Sequence, residues 1–205
     1  MEIGDFMFKN IILVLSSLTL FSCQTVTSKS MNFDKARSYA QSGKYENALE
    51  IFKPLAEEGH TPSQTSLAYM YSEGHGVKQN YKIAIKWYKL AANRGDVIAQ
   101  SNLGWMYSRG EGVEKDDKTA VKWYRASAEQ GFAEAQSHLG SHYMWGNGIS
   151  QNYIIGLMWL KIAELNGSIH APKLIRYFIP SLKQEQIKKA NSLLSECISK
   201  NYKNC

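Results

Sequence analysis

Gly59, Gly95, Gly131 and Gly167 stand 36 residues apart with no insertion or deletion between them, so the middle of this 205-residue chain is one unit written three times. A period of this length belongs to stacked supersecondary units, each unable to bury its apolar face alone and each completed by its neighbours. The register limits the chain to a solenoid before composition is considered.

Within each unit Leu67, Leu103 and Leu139 are followed four residues later by Tyr71, Tyr107 and Tyr143, with Ala68, Gly104 or Gly140 beside the leucine. Steps of three and four residues make an apolar helical stripe, and the small residue marks where a second helix comes close. A second stripe runs from Ala84 and Ala120 through Trp87, Trp123 and Trp159 to Tyr88, Tyr124 and Leu160. Each unit is therefore predicted to be a hairpin of helix A and helix B.

The connection carries a glycine pair, Gly74-His75-Gly76, Gly110-Glu111-Gly112 and Gly146-Asn147-Gly148, followed by Val77, Val113 or Ile149. Glycine suits a left-handed residue ending helix A, and the branched residue turns back onto the core. Because the pair follows a helix and not a strand, it reads as a turn and not as a phosphate-binding loop. Asn80, Asp116 and Asn152 suit the N-cap of helix B, and the repeat-starting glycines sit where its C-cap is wanted. Tyr45-Glu46-Asn47-Ala48 matches Tyr81-Lys82-Ile83-Ala84 one period earlier, which places a degenerate unit over 32–58.

The pattern A-x-x-x-L-G-x-M-Y-x-x-G-x-G-V…A-x-x-W-Y-x-x-A-A, read in Ala99 to Ala128 and its neighbours, resembles the Sel1-like repeat (SLR) family, a relative of the tetratricopeptide repeat. The resemblance implies an all-α, right-handed α-solenoid of antiparallel helix hairpins, with full units at 59–94, 95–130 and 131–166. The third unit departs most, with His142, Gly156, Met158 and Glu164 at positions that hold other residues in the first two. Beyond it, 167–205 is expected to form a C-terminal capping helix pair and a basic tail, because a solenoid must cover its last exposed core face. Ile187, Ala190, Leu194 and Cys197 keep helical spacing there, and Pro180 separates the two helices.

At the other end Lys9 precedes a short apolar run from Ile11 to Phe21, too short to span a bilayer and suited to a signal segment. The run ends in Leu20-Phe21-Ser22-Cys23, which resembles a bacterial lipobox and implies cleavage after residue 22 and lipid on Cys23. Residues 23–31 then form a polar tether, and translation starts at Met1 or Met7. Multiple acyl chains on Cys23 would anchor the protein stably. The expected location is the cell envelope, as an outer-membrane lipoprotein facing the periplasm, or periplasmic or secreted if Cys23 carries no lipid.

The formal charge of +6 is concentrated at the C-terminus, where seven basic residues from Lys173 onward face only Glu185 and Glu196. Such a cap could meet anionic headgroups or an acidic partner, whereas export argues against nucleic acid. Cys197 and Cys205 could form a disulfide in an oxidising compartment, pinning the tail to the last helix.

No Ser/His/Asp order, nucleophile elbow or paired-carboxylate motif emerges, and no cofactor motif, so a non-enzymatic, monomeric interaction module is expected. His138 and His142 share a helical face at the spacing of two metal ligands, but no third ligand is marked and they read as core or groove residues. In tetratricopeptide-like hairpins helix A lines the concave face. By that likeness a groove would draw on Pro62, Thr65, Tyr69, Ser72 and Glu73, then Ile98, Ser101, Trp105, Ser108 and Arg109, then Glu134, Ser137, Ser141, Met144 and Trp145. These positions change from unit to unit, so the repeat does not dictate them. Tyr69, Glu73, Trp105, Arg109, Met144 and Trp145 are the expected partner-binding residues, since aromatic and arginine side chains dominate binding hot spots. The expected partner is a protein or peptide. Within the family the role could be that of an immunity protein against a secreted antibacterial effector. A β-lactamase or penicillin-binding activity, suggested for cysteine-rich relatives, is disfavoured by the lack of repeat cysteines and of an S-x-x-K motif.

Overall fold

The computed structural model describes residues 29–205, so the expected signal segment and Cys23 lie outside the described residues. Helical backbone over 29–41 (α1) is followed by α2 (Tyr45–Glu57), α3 (Thr61–Glu73), α4 (Tyr81–Asn93), α5 (Val97–Arg109) and α6 (Asp117–Ala128). Then come α7 (Ala133–Trp145), α8 (Tyr153–Leu165), α9 (Ala171–Phe178) and α10 (Gln184–Ser199), with a 3-10 turn at Ile179–Ser181 that contains Pro180. The hairpins α3/α4, α5/α6 and α7/α8 stack on one another in order, and α9 and α10 are both seated on α8. The chain is thus an all-α stack of helix hairpins closed by C-terminal helices, as expected. Residues 29–31, expected in the tether, are already helical, and Lys29 pairs with Glu58 at 2.8 Å beside the end of α2. Among the described residues no helix is long and apolar enough to cross a membrane.

Local chemistry sets the helix ends. Gly74, Gly110 and Gly146 take left-handed φ values of 76°, 75° and 74° and close α3, α5 and α7 by donating to the carbonyls of Met70, Met106 and His142. The side chains of Asn80, Asp116 and Asn152 accept from the free N–H groups of Ile83, Thr119 and Ile155 at 3.1, 3.0 and 3.1 Å. The second glycine of each turn has a further duty. Gly112 has φ 73°, and a Cβ there would lie 2.7 Å from the Tyr81 backbone, so the turn of one unit rests directly on the first residue of the previous helix B.

A buried amide ladder ties the units together. Gln64, Gln100 and Gln136 are 3%, 6% and 0% exposed. Their Nε2 groups donate to the carbonyls of Ala56, Ala92 and Ala128 at 3.0, 3.1 and 3.0 Å. Their Oε1 atoms accept from Arg94 at 3.5 Å, Gln130 at 2.8 Å and Asn166 at 2.9 Å. Each glutamine thereby joins the end of the preceding helix B to the end of its own, with both halves of the buried amide satisfied.

The third unit is built differently inside. Ser108 Oγ lies 3.5 Å from the Tyr124 hydroxyl, but one period later the pair becomes Met144 and Leu160. Gly156 replaces the alanine of the earlier units, and a Cβ there would come within 2.6 Å of Met144 Sδ. Met144 and Leu160, both fully buried, share a core with Ile175 and Phe178 of α9 and Ala190 of α10. The change to apolar side chains gives the last hairpin a surface that the capping helices can cover. At the extreme end Cys197 and Cys205 form a disulfide with their Cα atoms 5.5 Å apart, and the Tyr202 hydroxyl donates to Asn166 at 3.2 Å.

Candidate binding trough

Helices α3, α5 and α7 line one continuous depression, bounded by α1 at one end and α9 at the other. Its first section lies among Arg37, Tyr45, Tyr69, His75 and Ile98. The central section, about 430 Å³, has Tyr88, Asn102 and Met106 in its floor and Tyr69, Glu73, Trp105, Glu111, Glu134 and His138 around it. The last section runs past Ser141 and Trp145 to Lys173 and Tyr177. Tyr69 and Asn102 belong to the first two sections, and Trp105, His138 and His170 to the last two, so the three are continuous.

Tyr69, Trp105 and Trp145 are 49%, 42% and 50% exposed along this trough, large apolar rings left open to water. Trp145 leans on the cap, its ring 4.9 Å from Phe178 and 5.8 Å from Tyr177. Glu73 stands at the rim. Arg109 lies outside the lining, with Nε 3.0 Å from Glu111 and its guanidinium 5.0 Å from the centre of the Trp105 ring. Its guanidinium covers part of the Trp105 ring.

Met144 does not reach the trough. It was expected there by analogy with its repeat position, but it fills the space above Gly156 and is fully buried. Thr65, Ser72, Ser101 and Ser137 do line the trough, though each is largely buried because helix A packs against helices on both flanks and only a narrow strip remains open. Glu111, Asn102 and His170 were not singled out for the trough by sequence reasoning, whereas His138, read as a core or groove residue, lines it. For Glu111 a signal existed, since the residue between the two glycines differs in every unit.

Tyr88 is buried at the floor, where Asn102 donates to its hydroxyl at 3.1 Å, and burial raises the phenol well above its ordinary range. Burial, with smaller contributions from Glu73 and Tyr45, also raises Tyr69. His138 stacks on Tyr124 with centroids 4.8 Å apart, and burial, helped by His142 and His170, pushes its imidazole down to about 4. It is therefore neutral at neutral pH. His142 Nδ1 lies 2.8 Å from the Asn147 carbonyl, so it is held by its own turn. Among the described residues no group of three His, Cys, Asp or Glu side chains is arranged to hold a metal ion.

Stacked hairpins with one open, aromatic-walled trough make the protein a helical-repeat scaffold. The Sel1 repeat pattern matches residues 61–96, 97–132 and 133–168, and the chain belongs to the Sel1 repeat family. A Sel1 repeat protein from Oxalobacter formigenes is 30% identical, with 82% of this chain and 74% of that one covered and a TM-score of 0.69. A protective antigen of uropathogenic Escherichia coli displaying an SLR fold is 28% identical with a TM-score of 0.71. The match covers 85% of this chain but only 42% of the antigen. A Sel1 repeat protein from Klebsiella pneumoniae shares the fold at 21% identity and a TM-score of 0.50, over 73% of this chain and 76% of that one. A search of curated proteins returned no match.

Proposed function

We propose that this protein is a non-catalytic adaptor that holds a segment of a partner protein in the trough along α3, α5 and α7, and that lipid on Cys23 keeps it at the bacterial cell envelope. One observation carries the reading. Tyr69, Trp105 and Trp145 stand open along a single trough, at positions where the units differ from one another and the repeat imposes no identity. Rigid aromatic surface of this kind supplies binding energy at little entropic cost, and an elongated trough suits an extended segment.

The test is a crosslinked pull-down from envelope fractions with the full-length protein, run beside a Tyr69→Ala/Trp105→Ala/Trp145→Ala variant of equal helicity and melting temperature. One partner retained by the parent and lost by the variant supports the reading. Equal capture by both proteins rules the trough out. Metabolic labelling with a palmitate analogue, with Cys23→Ala as control, tests the anchor separately, and label that persists in the variant refutes it.

A further inference from the structure

The charge of the trough's central section runs against the sign of the chain, whereas its two end sections carry Arg37 and Lys173. The protein carries a formal +6, yet the central section is lined by Glu73, Glu111 and Glu134 and by no lysine or arginine. His138 stacks in the same section and does not offset them. These carboxylates come from three different repeat positions. One period away Glu73 becomes Arg109, Glu111 is preceded by His75 and followed by Asn147, and Glu134 is preceded by Ile98 and followed by His170. The fold does not require an acid at any of them.

Two of the three are engaged. Glu111 pairs with Arg109 at 3.0 Å, and Glu134 accepts from Ser168 Oγ at 3.2 Å with His170 Nε2 4.0 Å away. Glu73 has no cationic partner among the described residues, and its nearest polar contact is Ser72 Oγ at 3.5 Å. It lines the same section of the trough as Tyr69 and Trp105, one helical turn from Tyr69 on α3. The chain shows what such a place accepts, because Arg109 lays its guanidinium 5.0 Å over Trp105 while Glu111 takes its Nε–H. An aromatic face beside a carboxylate is the arrangement that holds an arginine or lysine side chain.

Resting on the trough reading above, we infer that the partner segment is cationic, and that it seats an arginine or lysine side chain at Glu73 in the section walled by Tyr69 and Trp105, with apolar residues on either side. The flanking residues meet the apolar surface of Ile98 and Tyr45 in one direction and of Trp145 and Tyr177 in the other. The carboxylates of the central section complement a partner of this charge.

A random dodecapeptide library panned against the full-length protein tests this, followed by fluorescence anisotropy of the best synthetic peptide on Glu73→Gln, Glu73→Lys and Trp105→Ala variants. Selected peptides should carry arginine or lysine among apolar residues. Their affinity should fall about tenfold or more in Glu73→Gln, further in Glu73→Lys, and with rising salt. Peptides without basic residues that still lose affinity in Trp105→Ala overturn the cationic partner and leave the trough reading standing. Peptides indifferent to Trp105→Ala, or a library that yields no binder, overturn both.

Discussion

Replacing Gln136 by methionine should cost about 1 to 2 kcal/mol, and the source of the loss can be read from its surroundings. The side chain is 0% exposed, donates to the Ala128 carbonyl at 3.0 Å and accepts from Asn166 at 2.9 Å. Two neutral hydrogen bonds contribute about 1 kcal/mol each. Part of that is recovered, because the Ala128 carbonyl keeps the Gly131 N–H at 3.0 Å and the exposed Asn166 amide can return to water. Methionine has nearly the same length and fills the space, so no large cavity adds to the cost. For a domain of this size the loss corresponds to a melting temperature lower by roughly 2 to 8 °C.

A glutamate at the same position separates hydrogen bonding from packing. Its carboxylate would face the Ala128 carbonyl, acceptor against acceptor, so the folded state would hold the proton and raise the pKa above the unfolded value. A raised carboxyl pKa contributes no penalty below about pH 4 and a growing one as pH rises toward 7. The assay is urea denaturation of wild type, Gln136→Met and Gln136→Glu at pH 4 and pH 7. The ladder is refuted if Gln136→Met matches wild type at unchanged m-value, or if the deficit of Gln136→Glu does not grow with pH.

Three further outcomes are expected. Reducing the Cys197–Cys205 disulfide, whose partners are eight residues apart, should remove about 2.5 kcal/mol and lower the melting temperature, with no effect of reductant on Cys205→Ser; identical melting once free thiols are confirmed would contradict this. Gly112→Ala should destabilise by about 2 kcal/mol or more, since it combines a left-handed φ with a clash against the Tyr81 backbone, whereas Gly95→Ala, left-handed but open, should lose less in the same thermal melts. His138, lowered to about 4, binds its proton more readily when unfolded, so stability should fall as pH drops from about 6.5 toward 4, by about 3 kcal/mol at most. His138→Phe, which keeps a ring on Tyr124, should flatten that pH dependence, and an unchanged slope in chemical denaturation would assign it to other groups.

The helices and their ends were legible in the sequence because each depends on residues within about one turn. A left-handed glycine at Gly74 or Gly110, and a side-chain acceptor at Asn80 or Asp116, act on backbone groups three or four positions away. The 36-residue period then fixed the stacking of like units, since each leaves a core face that only a neighbour can cover. The groove positions Tyr69, Trp105 and Trp145 followed from the likeness to tetratricopeptide hairpins, in which helix A lines the concave face.

Tertiary structure decided what depends on distances between units. Gln64, Gln100 and Gln136 recur in sequence, but their bonds reach eight residues back and thirty forward, so their role is visible only when three helix ends converge. Met144 shares its repeat position with Ser72 and Ser108, and only its contact with Gly156 and the capping helices shows that it points inward. The acidic centre of the trough unites Glu73, Glu111 and Glu134 from unrelated repeat positions. Periodicity reports the face of each helix on which a residue lies, whereas the charge of a trough is set by the side chains that neighbouring units bring to the same opening.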